Sequence, residues 1–276
     1  MPVTAAAPVP VRSPMPDRTD PLAAEARWLP LAGLANPRCL GGLPTVDGGR
    51  TRPGVLLRSD DPVGCTDDDV RHLVDELALS LVVDLRSPEE HADGGPCPLE
   101  GAGVRRLRVP LLDRDTMAAV FGGAPDSDSD EDGARWVAEA YLQVVASAGA
   151  ALAGVVAEVA ALETGPALIH CAAGKDRTGI TVALLLGAAG VRAEAVVADY
   201  AHTDGRMVAI VEAMRDRAGV PFDDSPRPSF LLRAPARTME LFLDGFARDH
   251  GDAGTWLRSH GVTAAELDRW RRRFVA

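Results

Sequence analysis

The chain has 276 residues, of which 46% are hydrophobic, enough for one large domain or two small ones with a sizeable core. Asp and Glu number 40 against 29 Lys and Arg, which leaves a formal charge of -11. Because this charge repels a polyphosphate backbone, we expect no nucleic-acid partner.

The cysteines and histidines form no recognisable metal site or disulfide framework. No CxxC pair and no HExxH pattern occurs among them, and the four cysteines lie far apart in the chain: Cys39, Cys65, Cys97 and Cys171. We therefore expect no metal and no other cofactor.

The first 27 residues carry scattered prolines and lack the continuous apolar region of a signal peptide, so 1–27 is predicted to be a disordered leader. The most apolar stretch, 141–162, is interrupted by Gln143, Ser147 and Glu158, which favours a buried helix over an integral membrane segment. We expect a cytoplasmic protein, with export that needs no signal peptide as an open alternative.

Short apolar runs predict strands at 55–58 (VLLR), 80–86 (SLVVDLR) and 104–112 (VRRLRVPLL). The second run is typical of an interior parallel strand, whereas the third alternates with arginines and predicts a strand nearer the sheet edge. Between the first two, Thr66 starts a predicted helix that places Val70, Leu73 and Leu77 on one face.

Residues 113–135 form an acidic, glycine-flanked insertion, which is typical of a solvated loop, with a lid over a positively charged pocket as the alternative. One long helix is predicted from Trp136 to Leu162. A strand, PALIH at 166–170, and a buried helix beginning near Gly179 follow it.

Further helices are predicted at about 192–202, 206–218, 235–249 and 263–274, and 192–250 is assigned to a helical lid region. The order of strands and helices predicts an α/β fold: a central, mainly parallel sheet flanked by helices, with a helical C-terminal third as a candidate lid. We expect residues 28–276 to form a single domain.

The segment HCAAGKDRTG, residues 170–179, joins the predicted central strand to the buried helix. A turn of this kind directs several N–H groups and the positive end of a helix dipole at one point, which suits a phosphate. The small side chains of Ala172, Ala173 and Gly174 leave that cradle open. The planar fork of Arg177 can hold two phosphate oxygens.

The same field favours the thiolate of Cys171, which is the nucleophilic form of a cysteine. Attack on phosphorus would give a phosphocysteine that water then hydrolyses. Arg177 and the loop amides would stabilise the developing charge, and Thr178 could donate a hydrogen bond to the sulfur.

These residues resemble the signature loop of the cysteine-dependent tyrosine phosphatase superfamily, which reads HC, five residues, Arg, then Ser or Thr. Further blocks resemble, in order, the bacterial branch typified by the mycobacterial phosphatase PtpB: NPRCLGG at 36–42, RPGVLLRSD at 52–60, VVDLRSPEE at 82–90 and ADYAHT at 198–203. The similarity covers roughly residues 28–274 and implies a phosphatase-like fold. One departure is Cys39, where the branch usually has Asp; a neutral thiol cannot replace the charge of that Asp near the N-terminal hairpin.

The resemblance implies that Cys171 is the nucleophile, that Arg177 clamps the phosphate and that His170 tunes the thiolate. Lys175 matches the lysine found in the loops of phosphoinositide phosphatases. The substrate-binding set is then Ala172, Ala173, Gly174, Lys175 and Gly179. The branch acts on phosphotyrosine, phosphoserine or phosphothreonine and phosphoinositides, so a phosphorylated protein or a phosphoinositide is the expected partner.

Two carboxylates are candidates for the general acid that protonates the leaving oxygen, Asp176 and Asp84. We prefer Asp176, because a bound phosphate favours its protonated form and the resemblance points the same way. The alternative for Asp84 is an ion pair with Arg86 or Arg177. Arg58 and Arg86 are interpreted as structural partners, and Tyr200 as a packing residue.

The leading hypothesis is thus a metal-independent phosphomonoesterase that acts on phosphotyrosine, with the other two substrate classes open. A catalytically weak module that only recognises phosphorylated partners is the alternative. It would normally lack Cys171 or Arg177, and both are present. A rhodanese-type sulfurtransferase has a shorter cysteine loop, so it fits less well.

Overall fold

The computed structural model describes residues 27–113, 116, 119–120, 129–218 and 229–276. The leader up to residue 26, residues 121–128 of the acidic insertion and most of the SPRPS segment lie outside this description. Arg27, assigned to the leader, is buried and pairs with Asp199, so the leader is shorter than predicted by at least this residue.

The described residues form one five-stranded sheet in the order β1-β2-β5-β3-β4. The strands are β1 (Arg38–Cys39), β2 (Leu56–Ser59), β3 (Leu81–Asp84), β4 (Arg105–Arg108) and β5 (Ala167–His170). Only β1 runs antiparallel to its neighbour, which confirms the mainly parallel α/β fold. The predicted interior strand is β3, and β4 lies at the edge as expected.

Helices flank this sheet on both faces. They are α1 (Asp67–Arg71), α2 (Pro88–Gly94), α3 (Pro98–Gly101), α4 (Asp130–Ser147), α5 (Gly149–Ala161), α6 (Asp176–Ala188), α7 (Ala193–Ala201), α8 (Met207–Ala218), α9 (Ala236–His250), α10 (Ala253–Ser259) and α11 (Ala264–Phe274). A π-helical turn, His72–Glu76, continues α1, whose start is capped by Thr66 as predicted. The short α10 was not predicted.

The three inner strands, β2, β5 and β3, carry apolar residues on both faces because alternate residues enter two different cores. Leu56, Val83 and Ile169 pack into the larger core, with helices α4 to α7 and α9 to α11. Leu57 and Leu168 point the other way, into the smaller core beneath α1 and α3. Both faces of the sheet are therefore covered by helices, which leaves the edge at the carboxyl ends of the strands as the place for a binding site.

The single long helix predicted over 136–162 is wrong, because the chain bends by 79° between α4 and α5. Gly149 begins α5 directly against His260, where a Cβ would lie 2.5 Å from the His260 ring. This packing is tertiary, and helical periodicity carries no sign of it. Among the described residues, no single helix is long and apolar enough to cross a membrane; α4 and α5 pass that test only as this bent pair.

The acidic insertion ends earlier than predicted, because α4 begins at Asp130. Ser129 caps this helix, and Asp130, Glu131 and Asp132 occupy its first turn, where carboxylates stabilise a helix dipole. Glu131 also pairs with Arg237 of α9 at 2.9 Å. This part of the acidic run is therefore helical and not a solvated loop.

The predicted lid region, 192–250, contains two core helices. Tyr200 of α7 and Met239 and Phe242 of α9 are buried in the larger core. By contrast, α8 lies beside α2 at the carboxyl edge of the sheet and exposes 74% of Val208. Helices α7 and α9 are therefore anchored in the core, and the assignment of 192–250 to a lid stays a prediction.

Candidate active site

The loop from Cys171 to Lys175 leaves β5 at the carboxyl edge of the sheet, between the ends of β2 and β3. Helix α6 begins at Asp176 and not near Gly179, because the Gly179 N–H donates to the Lys175 carbonyl at 2.8 Å and closes the first turn earlier. Asp176 and Arg177 consequently stand in the first turn of a buried helix, directly beside the loop.

The carbonyl groups of this loop are bonded on its outer side. Ala172 O accepts from the Asp61 N–H at 3.1 Å, and Asn36 Nδ2 donates to Ala173 O at 3.3 Å and to Gly174 O at 3.2 Å. Within the described chain, the N–H groups of residues 172–175 donate to no acceptor. The loop therefore has the cradle of free N–H donors that its sequence predicts.

Gly174 is required where it stands. Its φ is +65°, and a Cβ added there would lie 2.3 Å from the carbonyl oxygen of Ser59. Only glycine combines this left-handed conformation with such close packing. The loop is thus pressed onto the end of β2.

Cys171 and Arg177, the two residues central to the prediction, are buried together beside this cradle. Burial works against the charge on Arg177, but Glu90 and Cys171 raise its pKa above the usual value. Both terminal nitrogens of Arg177 bond to Glu90, at 2.5 and 2.7 Å. Nη1 also donates to Leu85 O at 3.4 Å, so the guanidinium is held rigidly, and its Nε–H and second Nη2–H are left for a ligand.

Glu90 was not among the predicted site residues. Ser87 caps α2, and Glu90 closes its capping box by accepting from the Ser87 N–H at 2.8 Å. Burial opposes ionisation of Glu90, yet the hydrogen bonds from Arg177 prevail and lower its pKa. The Ser-x-x-Glu spacing within VVDLRSPEE predicts the capping box, but it does not predict the contact of Glu90 with Arg177.

Asp84 lies at the centre of an ion network. Arg86 donates to both its oxygens at 3.0 Å, and Arg106 also bonds to it. Burial disfavours the charge on Asp84, but His170 and Arg86 outweigh it and lower its pKa well below the usual range. Of the two ion-pair partners considered for Asp84, the structure therefore shows Arg86 and not Arg177.

His170 connects this network to the nucleophile. Its Nδ1 lies 3.2 Å from Cys171 O, and its Nε2 lies 3.7 Å from Asp84 Oδ1, too far for a hydrogen bond. Burial lowers the pKa of His170 against the attraction of Asp84, which favours a neutral ring.

Asp176 is the more accessible of the two candidate acids, with 29% of its side chain exposed against 2% for Asp84. The hydroxyl of Tyr141 donates to Asp176 Oδ1 at 2.6 Å and lies 2.8 Å from the hydroxyl of Tyr200. Burial, Asp176 and Tyr200 together raise the pKa of Tyr141, so this phenol is a hydrogen-bond donor. Tyr200 is therefore part of a hydrogen-bonded chain and not only a packing residue.

Two of the predicted loop residues, Lys175 and Gly179, contact other parts of the chain, whereas the Thr178 hydroxyl stays free in the described part of the chain. Lys175 is buried, and its Nζ donates to the carbonyls of Leu231 at 2.6 Å and Arg233 at 3.1 Å. Gly179 faces Tyr200, whose ring a Cβ would approach to 3.1 Å. The Thr178 hydroxyl is buried and makes no hydrogen bond among the described residues, so it is free to bond a sulfur or a phosphate.

Cys39 occupies the position where the resemblance expects Asp. Its Sγ accepts from the N–H groups of Gly41 at 3.4 Å and Gly54 at 3.3 Å. The thiol therefore still ties the N-terminal hairpin, through weak hydrogen bonds in place of charged ones.

The family model described as the Tyrosine phosphatase family matches residues 29–276. The chain belongs to the tyrosine phosphatase family. The triple specificity protein phosphatase PtpB of Mycobacterium tuberculosis is 30% identical over 253 residues, 80% of this chain and 90% of the relative.

A tyrosine-protein phosphatase of Nostoc commune is 28% identical over 226 residues, which cover 79% of this chain and 74% of that relative. The crystal structure of P. aeruginosa TpbA matches with a TM-score of 0.28 at 20% identity, over 61% of this chain and 83% of that one. As a tyrosine phosphatase family member, the chain has phosphorylated molecules as its class of substrate.

Proposed function

We propose that this chain hydrolyses phosphate monoesters through a phosphocysteine on Cys171, with phosphotyrosine as the first substrate class. The observation that carries the proposal is the convergence of three features at one edge of the sheet. These are a buried cysteine, a cradle of free loop amides and an arginine fixed by Glu90.

In the first step the Cys171 thiolate attacks phosphorus, and the bond from phosphorus to the leaving oxygen breaks. Asp176 gives its proton to that oxygen. The charge on the equatorial oxygens meets Arg177 and the loop N–H groups. In the second step Asp176 takes a proton from water, the water oxygen attacks phosphorus, and the sulfur leaves as a thiolate that Thr178 can stabilise.

Asp176 is proposed as the general acid ahead of Asp84. An acid must hold a proton before the chemical step, and Asp84 is kept ionised by its hydrogen bonds from Arg86 and Arg106. Asp176 stands beside the cradle and is partly exposed. We assign Asp84 and His170 to positioning the strand end from which Cys171 follows.

The contacts of Lys175 favour phosphotyrosine over phosphoinositides as the first class to test. A lysine that recognises a second phosphate must present its ammonium to the pocket, but Lys175 uses two donors on the carbonyls of Leu231 and Arg233. The printed name of PtpB includes triple specificity, which supports testing phosphothreonine and phosphoinositides in the same panel.

The decisive experiment is hydrolysis of an aryl phosphate in EDTA by the wild type and by Cys171→Ser. We expect the variant to lose activity and keep its melting temperature, and acid-quenched wild type to carry phosphate on Cys171 in peptide mass spectra. Cys97→Ser is the matched control, since burial raises the pKa of Cys97 and keeps it a thiol. Hydrolysis that continues in Cys171→Ser overturns the proposal.

The same protein samples distinguish hydrolysis from the alternative, a module that only recognises phosphorylated partners. It predicts binding of phosphopeptide by the wild type with no release of phosphate over hours.

A further inference from the structure

A buried carboxylate of α7, Asp199, lies behind the phosphate loop among three arginines. Its Oδ1 accepts from Arg27 at 2.8 Å and from Arg38 at 3.0 Å, and its Oδ2 accepts from Arg58 at 2.8 Å. Only 1% of Asp199 is exposed. Its contacts therefore serve the interior of the molecule and not a surface.

Two of these arginines, Arg58 and Arg38, connect Asp199 to the phosphate loop through hydrogen bonds. Arg58 uses its other terminal nitrogen to donate to Gly174 O at 2.7 Å. Arg38 donates to Asn36 Oδ1 at 2.5 Å, which leaves the Asn36 amide nitrogen to donate to Ala173 O and Gly174 O. Both routes end on outward-facing carbonyl groups of the phosphate loop.

The arrangement depends on charge, because Arg38 and Arg58 are directly paired residues of the antiparallel strands β1 and β2. Like charges in that position repel each other. Burial, and then the neighbouring Arg58, lower the pKa of Arg38 to about 9. Burial also opposes the charge on Asp199, but Arg38, Arg58 and Arg27 outweigh it and lower its pKa.

The cluster around Asp199 contains three guanidinium groups and one carboxylate. Several guanidinium N–H groups make no hydrogen bond within the described ranges. Arg27 Nε, Arg27 Nη2 and Arg58 Nε are buried without a hydrogen-bond partner among the described residues. Asp199 thus lies at the centre of an excess of positive charge that it only partly neutralises.

We infer that Asp199 is a positioning residue of the phosphate loop: through Arg38 and Arg58 it holds the Ala173 and Gly174 carbonyls outward, so that the loop N–H groups face the phosphate. The inference rests on the proposed function only in that this loop binds a phosphate group. A residue that served stability alone would anchor core elements to each other, whereas both routes from Asp199 reach loop peptides beside Cys171.

The test uses full-length Asp199→Asn and two measurements that need no turnover. One is the ratio of the rates at which iodoacetate, an anion, and iodoacetamide, which is neutral, alkylate Cys171. The other is the concentration of inorganic phosphate that halves the iodoacetamide rate. We expect the iodoacetate-to-iodoacetamide rate ratio to fall at least fivefold and the protecting phosphate concentration to rise at least tenfold. The reason is that the loop peptides, once released from Arg58 and Asn36, no longer direct their N–H groups at an anion.

Two controls separate this effect from lost stability. Asp47→Asn makes the same chemical change at an ion pair with Arg271, remote from the loop. Trp270→Phe removes a buried hydrogen bond to Leu185 O and lowers stability elsewhere. Both controls should keep the ratio and the protecting concentration within twofold of wild type.

A folded Asp199→Asn with both values within twofold of wild type overturns the inference. If that variant does not fold, Asn36→Ala decides, since it cuts one route without removing a charge. The inference then requires at least a threefold rise in the protecting concentration, and no rise overturns it. Because alkylation is independent of hydrolysis, a wild type that hydrolyses no phosphate ester refutes the proposed function and leaves this test intact.

Discussion

Glu90 holds Arg177 at both terminal nitrogens, and this two-point ion pair fixes the plane of the guanidinium before a substrate arrives. The glutamate itself is fixed by the capping box of α2, so the start of one helix orients the side chain of Arg177 in the first turn of α6. The phosphate clamp is therefore preorganised by a helix that is remote from it in sequence.

Replacing this glutamate by its amide tests that preorganisation. Glu90→Gln keeps one acceptor oxygen and loses the charge, so Arg177 gains freedom to rotate. We expect kcat/KM for an aryl phosphate to fall about 10- to 100-fold, with part of the loss in KM. Glu131→Gln, which breaks a similar pair with Arg237 on the surface, should change kcat/KM less than twofold. Equal values for the two variants would contradict the role of Glu90.

The identity of the general acid is tested by its pH signature. An acid must carry its proton, so wild-type kcat should fall as the pH rises and that proton is lost. We expect Asp176→Asn to lower kcat by about 10² or more and to remove this alkaline limb. The loss should be smaller for substrates with better leaving groups, which need less protonation. Asp84→Asn should lower stability and keep the alkaline limb; the reverse result would reassign the acid to Asp84.

Local sequence was sufficient for the loop because strand, loop and helix are contiguous there. HCAAGKDRTG places Cys171, the small residues and Arg177 together without help from the rest of the chain. The supports of that loop could not be predicted in the same way. Glu90, Asn36 and Asp199 come from three distant segments, and each acts through contacts that only the folded chain creates.

Local sequence also explains which helices and strands were predicted correctly, and contacts between distant segments explain which were not. β3 and β5 are short, continuous apolar runs, and such runs report burial on both faces. At the bend between α4 and α5, Gly149 packs closely against His260, which lies more than a hundred residues away in the chain. Likewise, helical periodicity in 192–250 predicts helices but not how they pack, and Phe242 and Tyr200 bury α9 and α7 in the core.

Tyr141 is predicted to position Asp176, because its hydroxyl donates to that carboxylate. Tyr141→Phe keeps the ring contact with Phe242 and removes only the donor. We expect kcat to fall about 3- to 10-fold with little change in KM, and stability to fall by about 1 to 2 kcal/mol. Tyr200→Phe removes the hydroxyl pair but leaves the bond to Asp176, so its kcat should fall less. A larger kcat loss in Tyr200→Phe than in Tyr141→Phe would show that the Tyr200 hydroxyl, and not the Tyr141 donor to Asp176, is the important group.

Stability should rise as the pH rises towards about 6.5 and level off above it, because burial lowers the pKa of His170. The unfolded histidine takes up a proton near pH 6.5, whereas the folded one stays neutral to lower pH, so protonation favours unfolding as the pH falls. His91 and His202 are shifted in the same direction and add to this slope. Urea unfolding at several pH values should show a smaller slope in His170→Asn than in the wild type, and an unchanged slope would refute the contribution of His170.

Cys39 offers a stabilising substitution. Its thiol accepts from two backbone N–H groups, Gly41 and Gly54, and sulfur is a weak acceptor. A carboxylate of similar size would accept both as charge-assisted bonds, so we expect Cys39→Asp to raise the free energy of unfolding by about 1 kcal/mol at pH 7. The gain should vanish as the pH falls below about 4, where the carboxylate is protonated. Cys39→Asn, an uncharged acceptor of the same shape, should gain less, and a Cys39→Asp protein that unfolds at lower urea than the wild type would show that the hairpin is built for the thiol.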